Sequence, residues 1–296
     1  MVVLDDLVAA VGADGPVCAV GMGTRGGGCD GVRTVRAPAG IAWLQPDEMT
    51  VCCGAGTPVD ELAEALAEVG QRTVLPPGGT VGGAFAHGVS GLRQLGDGPL
   101  RDALLQARYV SAAGELVTAG GPTVKNVSGF DLCRALVGSR GTLGVLGEMI
   151  VRTRPAPPCS EWHSRPCDDP RPIQRSIYRP ASMLWDGVVL HVLLEGHPRD
   201  VEATARAHGL ERSEAPPVPR GARRRSAPAA AVDLVRPLPP SSFLLEVGVG
   251  AVHLDDPAAL PPEPAPAVGI ARLEQRLRDE FDPAGRLCPC RRAGGW

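Results

Sequence analysis

Aromatic side chains make up only 3% of the 296 residues. Valine, leucine and alanine must therefore do the packing. At 44% hydrophobic and 21% charged, the chain has ordinary globular material for a core. Its length suggests one large or two modest domains. Lysine is almost missing: Lys125 is the single one, which invites a functional reading beside the plainer one of a chance surface residue. A charge excess of either sign is missing too, since 30 Lys+Arg against 33 Asp+Glu leave −3. That balance gives no reason to expect nucleic-acid binding or attraction to an anionic membrane. The basic run Arg223-Arg224-Arg225 is short, sits near prolines and reads as a solvated loop. No apolar stretch is long enough to span a bilayer. The start, Met1 to Asp6, lacks the positive n-region of a signal peptide. A soluble cytoplasmic protein is the expectation, with its nine cysteines mostly reduced thiols rather than a disulfide frame.

Periodicity divides the chain near Pro155. Residues 17–20 form a short apolar run entering a glycine-rich loop, and residues 50–53 form another short strand. Thr57, Pro58 and Asp60 open a helix as N-cap, first helical residue and capping-box acid. Val59, Leu62, Ala63 and Leu66 give that helix one apolar face, and Gly70 stops it. Residues 104–111 and 115–118 read as paired strands, 130–137 as a short helix and 145–152 as a strand. Beyond them, 155–172 reads as a proline-rich connector. A hairpin over 183–195 turns at Asp186-Gly187. Residues 198–208 suit a helix, and 214–240 lack useful periodicity and read as loop or disorder. Residues 242–254 read as one strand. Ile270, Leu273, Leu277 and Phe281 line one face of a last helix.

Three glycine-rich elements carry most of the functional signal. The first, Gly21-Met22-Gly23-Thr24-Arg25, follows a strand. Glycine lets backbone N–H groups approach an anion closely, as in a phosphate nest. No amphipathic helix follows as a dinucleotide fold needs, and no Gly-Lys-Ser/Thr follows as a P-loop needs. The second element, GGTVGGAFAHGVSG, starts at Gly78 and contains two glycine pairs between the anchors Val81, Phe85 and Val89. It could wrap a large polyanionic ligand. The third runs from Lys125 through Phe130 and Asp131 to GSRGTLGVLGEMIVRTRP, a helix and glycine turn feeding a strand.

In this order and spacing the three elements resemble the FAD-binding domain of the vanillyl-alcohol oxidase and p-cresol methylhydroxylase superfamily. Within it, the chain resembles the smaller FAD-binding subunit of bacterial glycolate oxidase. The resemblance is tight over roughly the first half of the chain. It implies an α+β fold: a two-subdomain FAD-binding domain of the p-cresol methylhydroxylase type over residues 1–155, then a small α+β cap over 156–296. It implies that Gly21, Met22, Gly23, Thr24 and Arg25, with Gly79, Thr80, Val81, Gly82 and Gly83, hold the FAD pyrophosphate. Ala86, His87, Ser90 and Gly91 would lie near the ribityl chain and ring. Gly141, Thr142, Gly144 and Val145 would contact the flavin or adenine side, and Ile150 would offer backbone to the adenine. The first loop contains neither His nor Cys, so noncovalent FAD is expected. Phe130 stands where the family usually shows tyrosine.

Oxidising a 2-hydroxy acid needs a proton acceptor, a group for the carboxylate and a hydride acceptor. The histidines of the second half form no H-x-H or H-E-x-x-H pair, so no metal is expected. His253 is a weak catalytic candidate, with a backbone-satisfied strand-end histidine as the alternative. Arg101 and Arg140 could hold a carboxylate. Cys288 and Cys290 depart from the family's ending and read as two exposed thiols in a frayed tail, or a redox or partner-shared pair. The resemblance implies an FAD-dependent oxidoreductase subunit passing electrons from a small 2-hydroxy acid. Its partners would be a larger flavin subunit and an iron–sulfur subunit, and any membrane association would come through them. The alternatives are a stand-alone FAD oxidase or dehydrogenase of another alcohol or hydroxy acid, and a noncatalytic structural subunit.

Overall fold

The computed structural model describes residues 1–121, 131–263 and 265–291. Lys125 and Phe130, part of the third element, lie outside them. The chain forms two units. The first comprises Met1–Gly91, Pro99–Ala156 and Pro266–Trp296, and the second Leu92–Gly98 and Pro157–Ala265. One break falls at Ala156/Pro157, beside the expected one at 155/156. The last thirty or so residues, expected to lie with the second half, group with the first unit.

The first unit is built on five antiparallel strands, ordered Ile41–Gln45, Thr50–Gly54, Val145–Arg152, Leu104–Val110, Leu116–Gly120. Val145–Arg152 is central and buried along nearly its whole length, which its near-continuous apolar run foretells. The helices Val59–Ala67 and Val81–His87 contribute to the core around Val51, Leu62, Leu66, Phe85 and Met149. Two short parallel strands, Val17–Ala19 and Arg33–Val35, carry the first glycine loop between them. The expected capping box at Thr57 does not form. Pro58 is the cap residue, and the Thr57 hydroxyl is bonded to Gly40 N and O at 2.9 and 3.2 Å. Asp60 accepts instead from Gly78 N at 3.1 Å, tying the second glycine loop to this helix.

The C-terminal helix Val268–Phe281 buries less of its apolar stripe than expected. Phe281 packs against the core, while Ile270 and Leu273 are exposed. Beyond it Arg286 is buried and donates to five carbonyls, those of Val11, Gly12, Asp14, Gly15 and Ala112, at 2.8–3.0 Å. The tail is therefore an integral part of the unit.

The second unit is a seven-stranded antiparallel sheet with the helices Pro198–Ala207 and Pro228–Val235 on its apolar face. The hairpin at Asp186-Gly187 forms as expected. Asp186 accepts from Val188 and Val189 N, and Gly187 takes φ +99. Three expectations fail. The supposed connector holds the strand Cys159–Pro166, paired along its length with Val189–Gly196, because its prolines sit at the ends and leave the middle free to pair. Residues 214–240 hold a strand, Ala222–Arg225, and a helix, Pro228–Val235. The arginine run thus lies in an edge strand, where cross-strand bonds replace the missing hydrophobic pattern. Residues 242–254 are two strands, Phe243–Glu246 and Ala251–Leu254, reversed through Gly248 and Gly250 at φ +83 and +80.

Candidate FAD-binding site

The glycine elements of the first unit meet around a cavity of about 370 Å³. The loop 21–26, Thr80, Gly82, Gly83, Ala86, His87, Gly141 and Gly144 all line it. The loop's shape is imposed by its neighbours. Arg36 donates to Gly21 O at 2.6 Å, and Arg291 donates to Gly27 O and, at 3.0 Å, to Arg140 O. Close approach explains the glycines. A Cβ on Gly21 would lie 2.7 Å from Thr80 Oγ1, and one on Gly82 2.7 Å from Ala55 Cβ. Gly79 adopts φ +69, and a Cβ there would collide with Thr24 and Arg25.

The short Val81–His87 helix is capped by Thr80, whose hydroxyl accepts from Gly83 N at 3.1 Å. Val81 N and Gly82 N donate to Thr57 O and Ala55 O. Its first-turn donors are therefore taken. By contrast, no N–H of Gly21, Met22 or Gly23 donates to a backbone carbonyl among the described residues. Arg25 adds the charge. Its Nη2 bonds Pro76 O and Pro77 O at 2.9 and 3.1 Å, while its Nη1 is buried without a hydrogen-bond partner. Burial lowers the guanidinium pKa, opposed by Asp60. A half-buried cation with an unspent donor beside free backbone N–H groups fits a phosphate-bearing cofactor.

The other expected residues fall elsewhere. Val81 and Val145 are buried in hydrophobic clusters. Ser90 Oγ accepts from Leu100 N at 2.9 Å, and Thr142 Oγ1 donates to Ser139 O at 2.7 Å, so both hydroxyls brace the backbone. Ile150 is buried in its strand, facing Cys52 and Gln106 in register. None of these, nor Gly79 or Gly91, lines the cavity. The sequence reading missed Ala19, Val20, Gly26, Ala37, Ala55, Gly56, Leu146 and Arg291 as cavity-lining residues; Gly56 and Ala55 sit in a small-residue run that signals close approach.

His253 belongs to the second unit. Its Nε2 lies 2.8 Å from Glu246 Oε1, which also accepts from Arg223 Nη2 at 2.8 Å. It is thus held by a buried carboxylate rather than by backbone, and Glu246 Oε2 is left without a hydrogen-bond partner. Arg223 and Glu246 were missed, although a Glu ending the apolar run FLLE is a visible anomaly. Arg101 is paired with Asp102 at 4.0 Å, whereas Arg140 lines the cavity. Among the described residues no group of three or more His, Cys, Asp or Glu is arranged to hold a metal. The tail cysteines are not frayed thiols: Cys290 is disulfide-bonded to Cys29, and Cys288 is buried.

The fold is of the FAD-binding kind, and comparison with known proteins agrees. Residues 5–120 match the family model described as an FAD binding domain. The chain is similar to the glycolate oxidase subunit GlcE of Escherichia coli, at 37% identity over 43% of this chain and 37% of that protein. It is similar to a D-lactate dehydrogenase of Archaeoglobus fulgidus, at 38% identity over 38% of this chain and 26% of that one. It also resembles the glycolate oxidase subunit GlcD of Bacillus subtilis, at 42% identity over 26% of this chain and 17% of that protein. The matched stretch thus spans little more than a third, or less, of these curated relatives. Among solved structures, an alkyldihydroxyacetonephosphate synthase superposes with a TM-score of 0.65 at 15% identity, covering 93% of this chain and 71% of that one, a likeness of fold.

Proposed function

We propose that this chain binds FAD noncovalently in the cavity of the first unit and serves as a subunit of a 2-hydroxy-acid dehydrogenase complex of the glycolate-oxidase kind. The observation that carries the reading is the cavity wall itself: glycine backbone that no side chain could replace, and Arg25 with a buried donor to spare. On this reading residues 21–25 and Arg25 hold the pyrophosphate, and Thr80, Gly82 and Gly83 pack against it. Ala86, His87, Gly141 and Gly144 border the remainder, with Ser90, Gly91, Thr142, Val145 and Ile150 supporting from behind. The first unit is then the FAD-binding domain and the second the cap. FAD, when bound, supplies the hydride acceptor. His253 is the candidate proton acceptor, now with Glu246 as its carboxylate partner.

The similarity to named glycolate oxidase subunits supports membership of a multi-subunit enzyme. A larger flavin subunit and an iron–sulfur subunit are the proposed partners, and a small 2-hydroxy acid the proposed substrate. Co-purification from the native source tests this. Bound partners carrying flavin and iron–sulfur spectra, with glycolate or lactate reducing a dye, are the expected result. A chain that purifies alone and turns over these acids unaided would refute the subunit reading, leaving a stand-alone enzyme. Replacing His253 by Gln should then lower kcat while leaving FAD content intact; unchanged kcat removes His253 from the reaction.

A further inference from the structure

Four of the nine cysteines converge where the C-terminal tail crosses the first glycine loop. The tail lies against the Val17–Ala19 strand: Val17 N donates to Arg286 O at 2.9 Å and Cys288 N donates to Val17 O at 2.8 Å. This places Cys288 Sγ 3.0 Å from Cys18 Sγ. Two residues on, Cys290 is disulfide-bonded to Cys29 at the end of the loop. Cys18, Cys29 and Cys288 form one buried cluster, whereas Cys290 is exposed. The two inner sulfurs are unlike. The Cys288 thiol and the Cys29 backbone hydrogen-bond to Cys18, and Arg291 is close by, so the Cys18 thiol is pulled well below its ordinary value despite burial. Cys288, hydrogen-bonded to Cys18 and buried, is pushed the other way. Two thiols in contact, one of them acidified, and both clustered with a disulfide-bonded cysteine are the arrangement that thiol–disulfide exchange needs.

We propose that these four sulfurs form a thiol–disulfide exchange site in which the tail is tethered either to the loop, through Cys29–Cys290, or to the strand, through Cys18–Cys288. The Cys18 thiolate attacks Cys29 Sγ. A Cys18–Cys29 bond forms, the Cys29–Cys290 bond breaks, and its electron pair leaves on Cys290. The Cys288 proton passes to the Cys290 thiolate. The Cys288 thiolate then attacks Cys18 Sγ, forming Cys18–Cys288 and releasing Cys29 as thiolate. One disulfide and two reduced sulfurs are present before and after, so no outside oxidant is required.

The exchange has a consequence for the cavity, which rests on the FAD reading above. Cys29 closes the loop whose residues 21–26 line the cavity, and Arg291, next to Cys290, bonds both Gly27 O and Arg140 O. In the loop-tethered state the tail pins this wall. In the strand-tethered state the loop is released from its covalent anchor, and the cofactor is held less tightly.

The full chain, purified without reductant, held anaerobically at pH 6 and pH 8.5, quenched in acid and mapped by peptide mass spectrometry, tests the proposal. Both pairings should be found, with exchange faster at the higher pH, and Cys18→Ser should leave Cys29–Cys290 alone. Finding Cys29–Cys290 alone in the wild-type chain at both pH values would overturn it. So would four reduced cysteines with one equivalent of zinc or iron by elemental analysis. Titration with FAD reads the coupling: Cys290→Ser should raise the FAD Kd several-fold relative to Cys18→Ser, and equal Kd values would overturn the coupling. Both pairings in a chain that binds no FAD would support the exchange site and overturn only the flavin reading.

Discussion

At the scale of the residue, Arg25 is the most exposed to test, because its role separates folding from binding. It already satisfies two proline carbonyls and has one buried donor over. A hydrogen bond to a charged group contributes about 1.5–3 kcal/mol. Arg25→Met should therefore weaken FAD binding by roughly 10–100-fold, measured by fluorescence titration; an unchanged Kd would place the phosphates elsewhere. Gly79→Ala puts a Cβ at φ +69 against Thr24 and Arg25. It should lower stability by about 1–2 kcal/mol from the backbone alone, read in urea melts. The buried thiols set a pH limit. Burial pushes Cys52 and Cys53 up to about 12 and Cys133 to about 11, from an ordinary 9.0. Groups raised in the folded state stabilise it fully below pH 9, and that contribution is lost as pH rises through 11 to 12. Denaturant midpoints should fall progressively above pH 9, and these three thiols should resist thiol reagents at pH 8. A flat profile between pH 9 and 11 would contradict the burial of these groups.

At the scale of the element, the tail matters more than its sequence announces. Arg286 ties five carbonyls from residues 11–15 and 112 to the C-terminus. Each buried carbonyl left unpaired costs about 1–3 kcal/mol, so Arg286→Ala should destabilise the chain by at least about 3 kcal/mol, seen as a lower urea midpoint. The same elements show what sequence could and could not disclose. The glycine spacing of the two loops was legible because it answers to local needs: positive φ at Gly79, and contact distances at Gly21 and Gly82. The Asp186-Gly187 hairpin was legible for the same reason. The strand Cys159–Pro166 was hidden because its flanking prolines outweighed its alternation. Ala222–Arg225 was hidden because it forms only when Ala251–Leu254 pairs with it. The meeting of Cys18, Cys29, Cys288 and Cys290 depends on contacts some 260–270 residues apart in sequence, which no local pattern encodes.

At the scale of the whole molecule, the chain closes its first unit with its own C-terminus, interrupting it with the second. The lining residues lie within the stretches 19–26, 37, 55–56, 80–87, 140–146 and 291, not every residue of each, and all belong to one unit. The cradle is thus a property of that unit and of the tail that completes it. A cradle that holds FAD without a covalent bond gives it up when the chain unfolds. An absorption spectrum of the purified chain, repeated on the supernatant after denaturation, tests it most directly. The expected result is a flavin spectrum that passes wholly into the supernatant and is identified there as FAD. A colourless chain that stays colourless when refolded with excess FAD, or a flavin that remains on the precipitated protein, would contradict it.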